Sequence, residues 1–276
     1  MKAKKILFIT QEMTPFVADS ETAEFGKNLP KTIQENGFEI RTFTPKWGVI
    51  NERRNQLHEV IRLSGMNIII DETDHPLIIK VASLPSARMQ IYFIDNDDYF
   101  MKRLVNLDEE NNPYADNGER AIFYARGVLE TVKKLKWVPD VIHCQGWISA
   151  IAPIFIKRAY HDEPSYADCK VVYSATAPEF DIDFGEHFMD CVLFKDIELD
   201  EVKEVFDGSF GFDDLQKLAI KYSDAVILND PNVSKKVTDY AESLGVPILG
   251  AEAKEDYKTN YSDFYDKLIG TDEEET

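Results

Sequence analysis

The chain opens with a short apolar run, Lys5-Ile6-Leu7-Phe8-Ile9-Thr10, bounded by lysines on one side and by Gln11-Glu12 on the other. That pattern predicts a first buried strand and is too short for a signal-peptide core. A helical pattern follows from about Thr22 to Glu35 and stops at Asn36-Gly37, after which Phe38–Pro45 reads as a second strand. The period then changes. His58–Leu63, Asn67–Ile70, Leu77–Val81 and Gln90–Ile94 are short β-type runs split by turn residues, which predicts a meander or hairpin insertion beside the sheet. From Asp116-Asn117-Gly118-Glu119 onward, Ile122, Ala125, Val128, Leu129, Val132 and Leu135 recur at helical spacing.

Asp140–Cys144 reads as a strand, residues 147–160 as a helix and Lys170–Ser174 as another buried strand. Residues 176–212 are acidic and aperiodic and are expected to lie on the surface. A helix marked by Leu215, Leu218, Ala219 and Tyr222 leads to the strand Ala225–Asn229. Asp230-Pro231 is expected to cap a helix ending at Leu244-Gly245, before a closing strand at Val246–Leu249. Tyr257, Tyr261, Phe264 and Leu268 mark one face of a last helix. This alternation predicts an α/β fold: a single Rossmann-like, doubly wound parallel sheet with a small β-rich flank. Residues 1–270 are expected to form one domain and 271–276 an acidic tail.

Composition narrows the partners. Lys and Arg total 31 against 50 Asp and Glu, a formal charge of -19. Such a surface repels nucleic acid and anionic membranes. No run approaches the roughly 18 apolar residues of a membrane span. The three cysteines, Cys144, Cys169 and Cys191, form no CxxC. They point to a reduced, cytoplasmic setting and away from a disulfide framework or a metal site. No GxGxxG or Walker sequence is present, so no cofactor is expected.

The stretch Gln11–Pro30 carries the most specific signal. Glu12-Met13, Pro15 and Leu29-Pro30 keep the frame of the opening loop of bacterial glycogen synthases and plant starch synthases, which the chain resembles. Further segments are similar in the same order. They are Tyr92–Phe100, the run from Tyr114-Ala115-Asp116-Asn117 to Leu129-Glu130, Pro139–His143 with Trp147, and Asp224 with Pro231. The resemblance implies the N-terminal domain of a two-domain GT-B glycosyltransferase, which builds α-glucan from a nucleotide-glucose with retention. It also implies that a second domain holds the nucleotide, and the chain ends near where the first domain of that family ends. A separate chain carrying that half is therefore one expected partner.

The same frame shows departures. The family's Lys-Thr-Gly-Gly stands here as Ala18, Asp19, Ser20 and Glu21. A lysine supplies a point charge for phosphate, and paired glycines let backbone N–H groups approach it. Ala18 removes the cation, and Glu21 adds a like charge. His-Asp-Trp-His has become Gln145-Gly146-Trp147-Ile148, and Thr-Ile-His-Asn has become Ser174-Ala175-Thr176-Ala177.

Four residues are candidate substrate contacts at the C-terminal ends of strands, where open α/β sheets bind ligands. Glu12 is read as a ligand contact or a capping carboxylate. His143 is a sugar contact or a hydrogen-bonded buried histidine. Gln145 is a hydroxyl partner. Trp147 is a stacking platform for a sugar ring or an aromatic core residue. Two functions follow: a glucosyltransferase domain inactive on its own, or a non-catalytic descendant that binds an α-glucan or a protein. Catalytic residues are not assigned.

Overall fold

The computed structural model describes residues 3–206 and 208–270. The expected tail at 271–276 lies outside the described residues. Ten strands are present among them: β1 (Lys5–Thr10), β2 (Glu39–Pro45), β3 (His58–Glu59), β4 (Met66–Ile70), β5 (Thr73–Leu84), β6 (Met89–Asp95), β7 (Val141–Gln145), β8 (Lys170–Ala175), β9 (Ala225–Leu228) and β10 (Ile248–Leu249). Their order is β10-β9-β8-β7-β1-β2-β6-β5-β3, with β4 paired to β5. From β10 across to β6 every neighbouring pair is parallel, and the pairs made by β5 are antiparallel.

The fold class is the one expected, a mostly parallel α/β sheet wound in both directions from β1. Successive side chains of a strand leave on opposite faces. Ile6 and Phe8 of β1 pack with Phe25, Leu29 and Ile33 of the helix Glu21–Glu35 and with Tyr261 and Tyr265 near the C-terminus. Leu7 and Ile9 pack on the other face with Ile122, Ala125 and Val128 of the helix Asn117–Lys134. Burial on both faces explains why β1 and β7 read as unbroken apolar runs. Crossovers on both faces place the strand-order reversal between β1 and β7.

Four expectations change. The short strands at 57–94 divide: β6, the later half of β5 and β3 extend the main sheet, because β6 pairs with β2, whereas β4 and the first half of β5 form the expected hairpin beside it, tied to the helix Asn117–Lys134 by Arg126. The region 147–160 is not one helix. It is a 3-10 turn at Trp147–Ser149, a short α segment at Ala152–Ile154 and a π turn at Phe155–Ala159. The stretch 176–212 is packed as well as acidic, with helices Gly185–Val192 and Leu199–Lys203 and buried Phe180, Phe184, Phe188 and Phe210. Asp230-Pro231 caps no helix: the Asp230 carboxylate accepts from Asn232 N–H in a turn, and the helix Lys235–Ser243 begins after Ser234. All three cysteines are buried and free. Among the described residues no helix is long and apolar enough to cross a membrane.

Candidate functional site

The ends of β1 and β7 meet where strand order reverses, and the chain there is held by one side chain. Gln11 donates its backbone N–H to Gln145 O at 3.1 Å. Its carbonyl accepts from Thr44 Oγ1 and from Trp47 Nε1 at 3.2 and 2.7 Å. Its side-chain oxygen accepts from the Trp147 N–H at 3.0 Å. Gly146 makes room for that amide: it has φ +82°, and a Cβ there would stand 2.3 Å from Gln11 Oε1.

The amide nitrogen of Gln11 then donates to both oxygens of Glu179, at 3.0 and 2.9 Å. Asn106 Nδ2 donates to the same carboxylate at 2.5 Å, and Asn106 Oδ1 accepts from Trp147 Nε1 at 2.8 Å. Glu179 therefore stands in a crevice on a relay that runs from β1 to the loop after β8. Burial pushes its carboxyl up to about 7, opposed by the Gln11 hydrogen bond and reinforced by the charge of Glu12. Burial also raises the Glu12 carboxyl, against the hydrogen bonds from Ser20 and Gln11. Two carboxylates reluctant to ionise thus act on one another at the end of β1.

Of the residues expected to contact a ligand, Glu12 alone remains partly accessible. Gln145 is buried and spent: its amide donates to Thr22 O at 3.1 Å and its oxygen accepts from Thr10 Oγ1 at 3.3 Å. Trp147 is 0% exposed and packs edge-on against Phe180, with ring centroids 5.1 Å apart, so it offers no open face for a sugar ring. His143 points to the opposite face of the sheet from the Gln11–Glu179 relay. Its Nδ1 bonds the Tyr265 hydroxyl at 2.6 Å and its Nε2 the Ser174 hydroxyl at 2.5 Å. Desolvation there lowers its pKa to about 3, which keeps the ring neutral. The expectation of a crevice lined by all four residues is corrected on these three counts.

The residues the sequence reading missed are Gln11, Asn106 and Glu179. Gln11 had a signal, as the first polar residue after a central strand. Asn106 and Glu179 sit in aperiodic segments and had none.

Two clefts open beside Glu179. A small one of about 130 Å³ is lined by Thr22, Thr176, Glu179, Asn229, Asp230 and Lys254, among others. A wider groove of about 790 Å³ runs past Asp181, Asp213, Lys217 and Lys236. Above the small cleft the helix Glu21–Glu35 begins. Ser20 is its N-cap: Ser20 Oγ accepts from the Ala23 N–H at 3.0 Å and donates to Glu12 Oε2 at 3.1 Å. Glu21 and Glu24 occupy its first turn. Gly26 lets that helix come down on the loop, because a Cβ there would lie 2.1 Å from the Glu12 carbonyl oxygen.

A family model of the starch synthase catalytic domain matches residues 5–247. The chain belongs to that family. The glycogen synthase of Chlorobaculum parvum is 33% identical over 243 residues, which cover 87% of this chain and 48% of that protein. The glycogen synthase of Chlorobium limicola is 38% identical over 169 residues, 61% of this chain and 35% of that protein. The chain thus spans about half the length, or less, of these relatives. The solved catalytic domain of starch synthase IV from Arabidopsis thaliana, bound to ADP and acarbose, superposes with a TM-score of 0.71 at 14% identity. That superposition covers 90% of this chain and 51% of that one, and it shows the shared fold. The chain is therefore a member of the starch synthase catalytic-domain family and is similar in sequence to glycogen synthases.

Proposed function

We propose that residues 1–270 form one glycogen/starch-synthase-type domain of α-glucan synthesis that handles sugar hydroxyls but does not, by itself, transfer glucose from ADP- or UDP-glucose. One observation carries this reading: the helix end that a phosphate would approach is filled by the chain's own groups. A helix N-terminus attracts anions through its free N–H groups and positive dipole end. Here Ser20 takes the Ala23 N–H, and the carboxylates of Glu12, Glu21 and Glu24 surround the same turn. A carboxylate about 5 Å from a phosphate charge costs about 3 kcal/mol at an effective dielectric of about 20. Two such contacts outweigh what one surface lysine contributes.

The nucleotide-binding role then falls to a second domain or a separate polypeptide, which is the partner this reading calls for. Glucose transfer, in this reading, needs that partner. The reduced, buried cysteines support a cytoplasmic setting. A second reading, a non-catalytic domain that binds an α-glucan or a protein, is supported by the same self-capped helix. Incubating the chain with radiolabelled ADP- or UDP-glucose and glycogen tests the proposal. No label above the enzyme-free blank is expected, and incorporation by the chain alone overturns it.

A further inference from the structure

We propose that the small cleft at the ends of β8 and β9 binds a polyhydroxy compound bearing a protonated amine, an amino sugar in chemical class. The inference rests on the reading that this crevice takes sugars rather than nucleotides, and it adds the charge that the sugar carries. The first observation concerns unmet hydrogen bonds. Thr176 and Asn229 are only 6% and 3% exposed, and both line the cleft. Neither Thr176 Oγ1 nor Asn229 Oδ1 has a hydrogen-bond partner. A buried oxygen left unpaired costs about 1–3 kcal/mol, so native structures supply a donor for nearly all of them. The Thr176 backbone is fully used, its N–H and C=O both paired with the Gln216 amide, which holds the threonine in place.

The second observation is charge. Glu21, Glu179 and Asp230 line the cleft, and Glu12 acts on Glu179 through its charge. Lys254 is the one cation among the lining residues. Its ammonium lies 5.6 Å from the centre of the Phe25 ring, and among the described residues it makes no ion pair. The Glu179 carboxylate is pre-organised by the Gln11 and Asn106 amides rather than by a cation. The space, about 130 Å³, exceeds by roughly tenfold the 10–15 Å³ that admits one water, so it suits a small molecule rather than a lone ion.

These features select among ligands. A neutral sugar supplies hydroxyl donors to Thr176 and Asn229 but leaves the carboxylates unpaired. A phosphate meets them with like charge. An ammonium brings three donors and the matching sign.

Calorimetric titration of the chain at neutral pH with glucosamine, glucose and ADP tests the proposal. Glucosamine is expected to bind at least about tenfold more tightly than glucose, a difference of about 1.4 kcal/mol. Glu179→Gln, which keeps the shape of the side chain, is expected to bring glucosamine down to the glucose level. Asn229→Ala is expected to weaken both sugars. Equal affinity for the two sugars, an unchanged preference in Glu179→Gln, or no binding of either overturns the inference. Tight ADP binding overturns it together with the phosphate argument above, whereas silence from all three ligands leaves that argument standing and sinks this one alone.

Discussion

At Glu179, burial works against two amide donors, and burial wins: the carboxyl rises to about 7. The folded chain therefore holds this proton more tightly than the unfolded chain does. The associated stability is fully present below about 4.5 and is lost as pH climbs through about 7. At about 1.4 kcal/mol per unit, the loss is on the order of 3 kcal/mol. Glu179→Gln cannot ionise, so its unfolding free energy is expected to fall less than the parent's between pH 5 and pH 8 in urea titrations. Parallel curves for the two proteins would show that the residue titrates normally. None of this was legible from the residue types, because Glu179 lies in an aperiodic acidic stretch. His143 and Trp147 were legible as residues in and just after a central strand of the family frame, but their directions were not. The strand Val141–Gln145 is buried on both faces, so no apolar–polar alternation marks which way His143 points.

Among the elements, the strands and the two long helices were read within a few residues, since their apolar periods and the Asn36-Gly37 stop are strong local signals. The segment after Trp147 was misread because its residues are apolar all round, a pattern that fits a regular helix and a broken one equally. The stretch 176–212 was misread for the opposite reason, its aromatics being spaced by packing rather than by a period. The last helix, Ser262–Ile269, shows how an element recognised by pattern is anchored by chemistry. Its Tyr265 hydroxyl reaches the buried His143 ring at 2.6 Å and ties the helix to the centre of the sheet. Tyr265→Phe leaves that ring nitrogen without a partner, at a cost of about 1–3 kcal/mol. The urea midpoint is expected to fall by that cost divided by m, with m itself unchanged. A loss below about 0.5 kcal/mol, the size of an ordinary surface substitution, would mean that the helix holds its place without the bond.

For the whole molecule, the doubly wound sheet followed from the strand–helix alternation. That β6, β5 and β3 extend the main sheet while β4 stays in a hairpin beside it did not follow, since four short strands satisfy several pairings equally well. Net charge is the property at this scale that both sequence and structure express. With 50 acidic against 31 basic side chains, ion pairs cannot neutralise the surface. Several of the pairs present are well exposed, such as Lys235–Asp239. Exposed pairs contribute about 0–1 kcal/mol each and weaken in salt. The unpaired acidic excess acts in the opposite sense: its self-repulsion opposes the compact state and is screened as the Debye length falls from about 30 Å at 0.01 M salt to about 8 Å at 0.15 M. Because the excess of like charge exceeds what the exposed pairs contribute, screening is expected to stabilise the fold. The midpoint of thermal unfolding should therefore rise by a few degrees over that range, about 2–4 °C for each kcal/mol in a chain of this size. Sodium chloride suffices as the screening salt, with sodium sulfate as a control for effects of ion exclusion. A midpoint that falls as sodium chloride is added would mean that the ion pairs dominate and that the acidic surface costs the fold little.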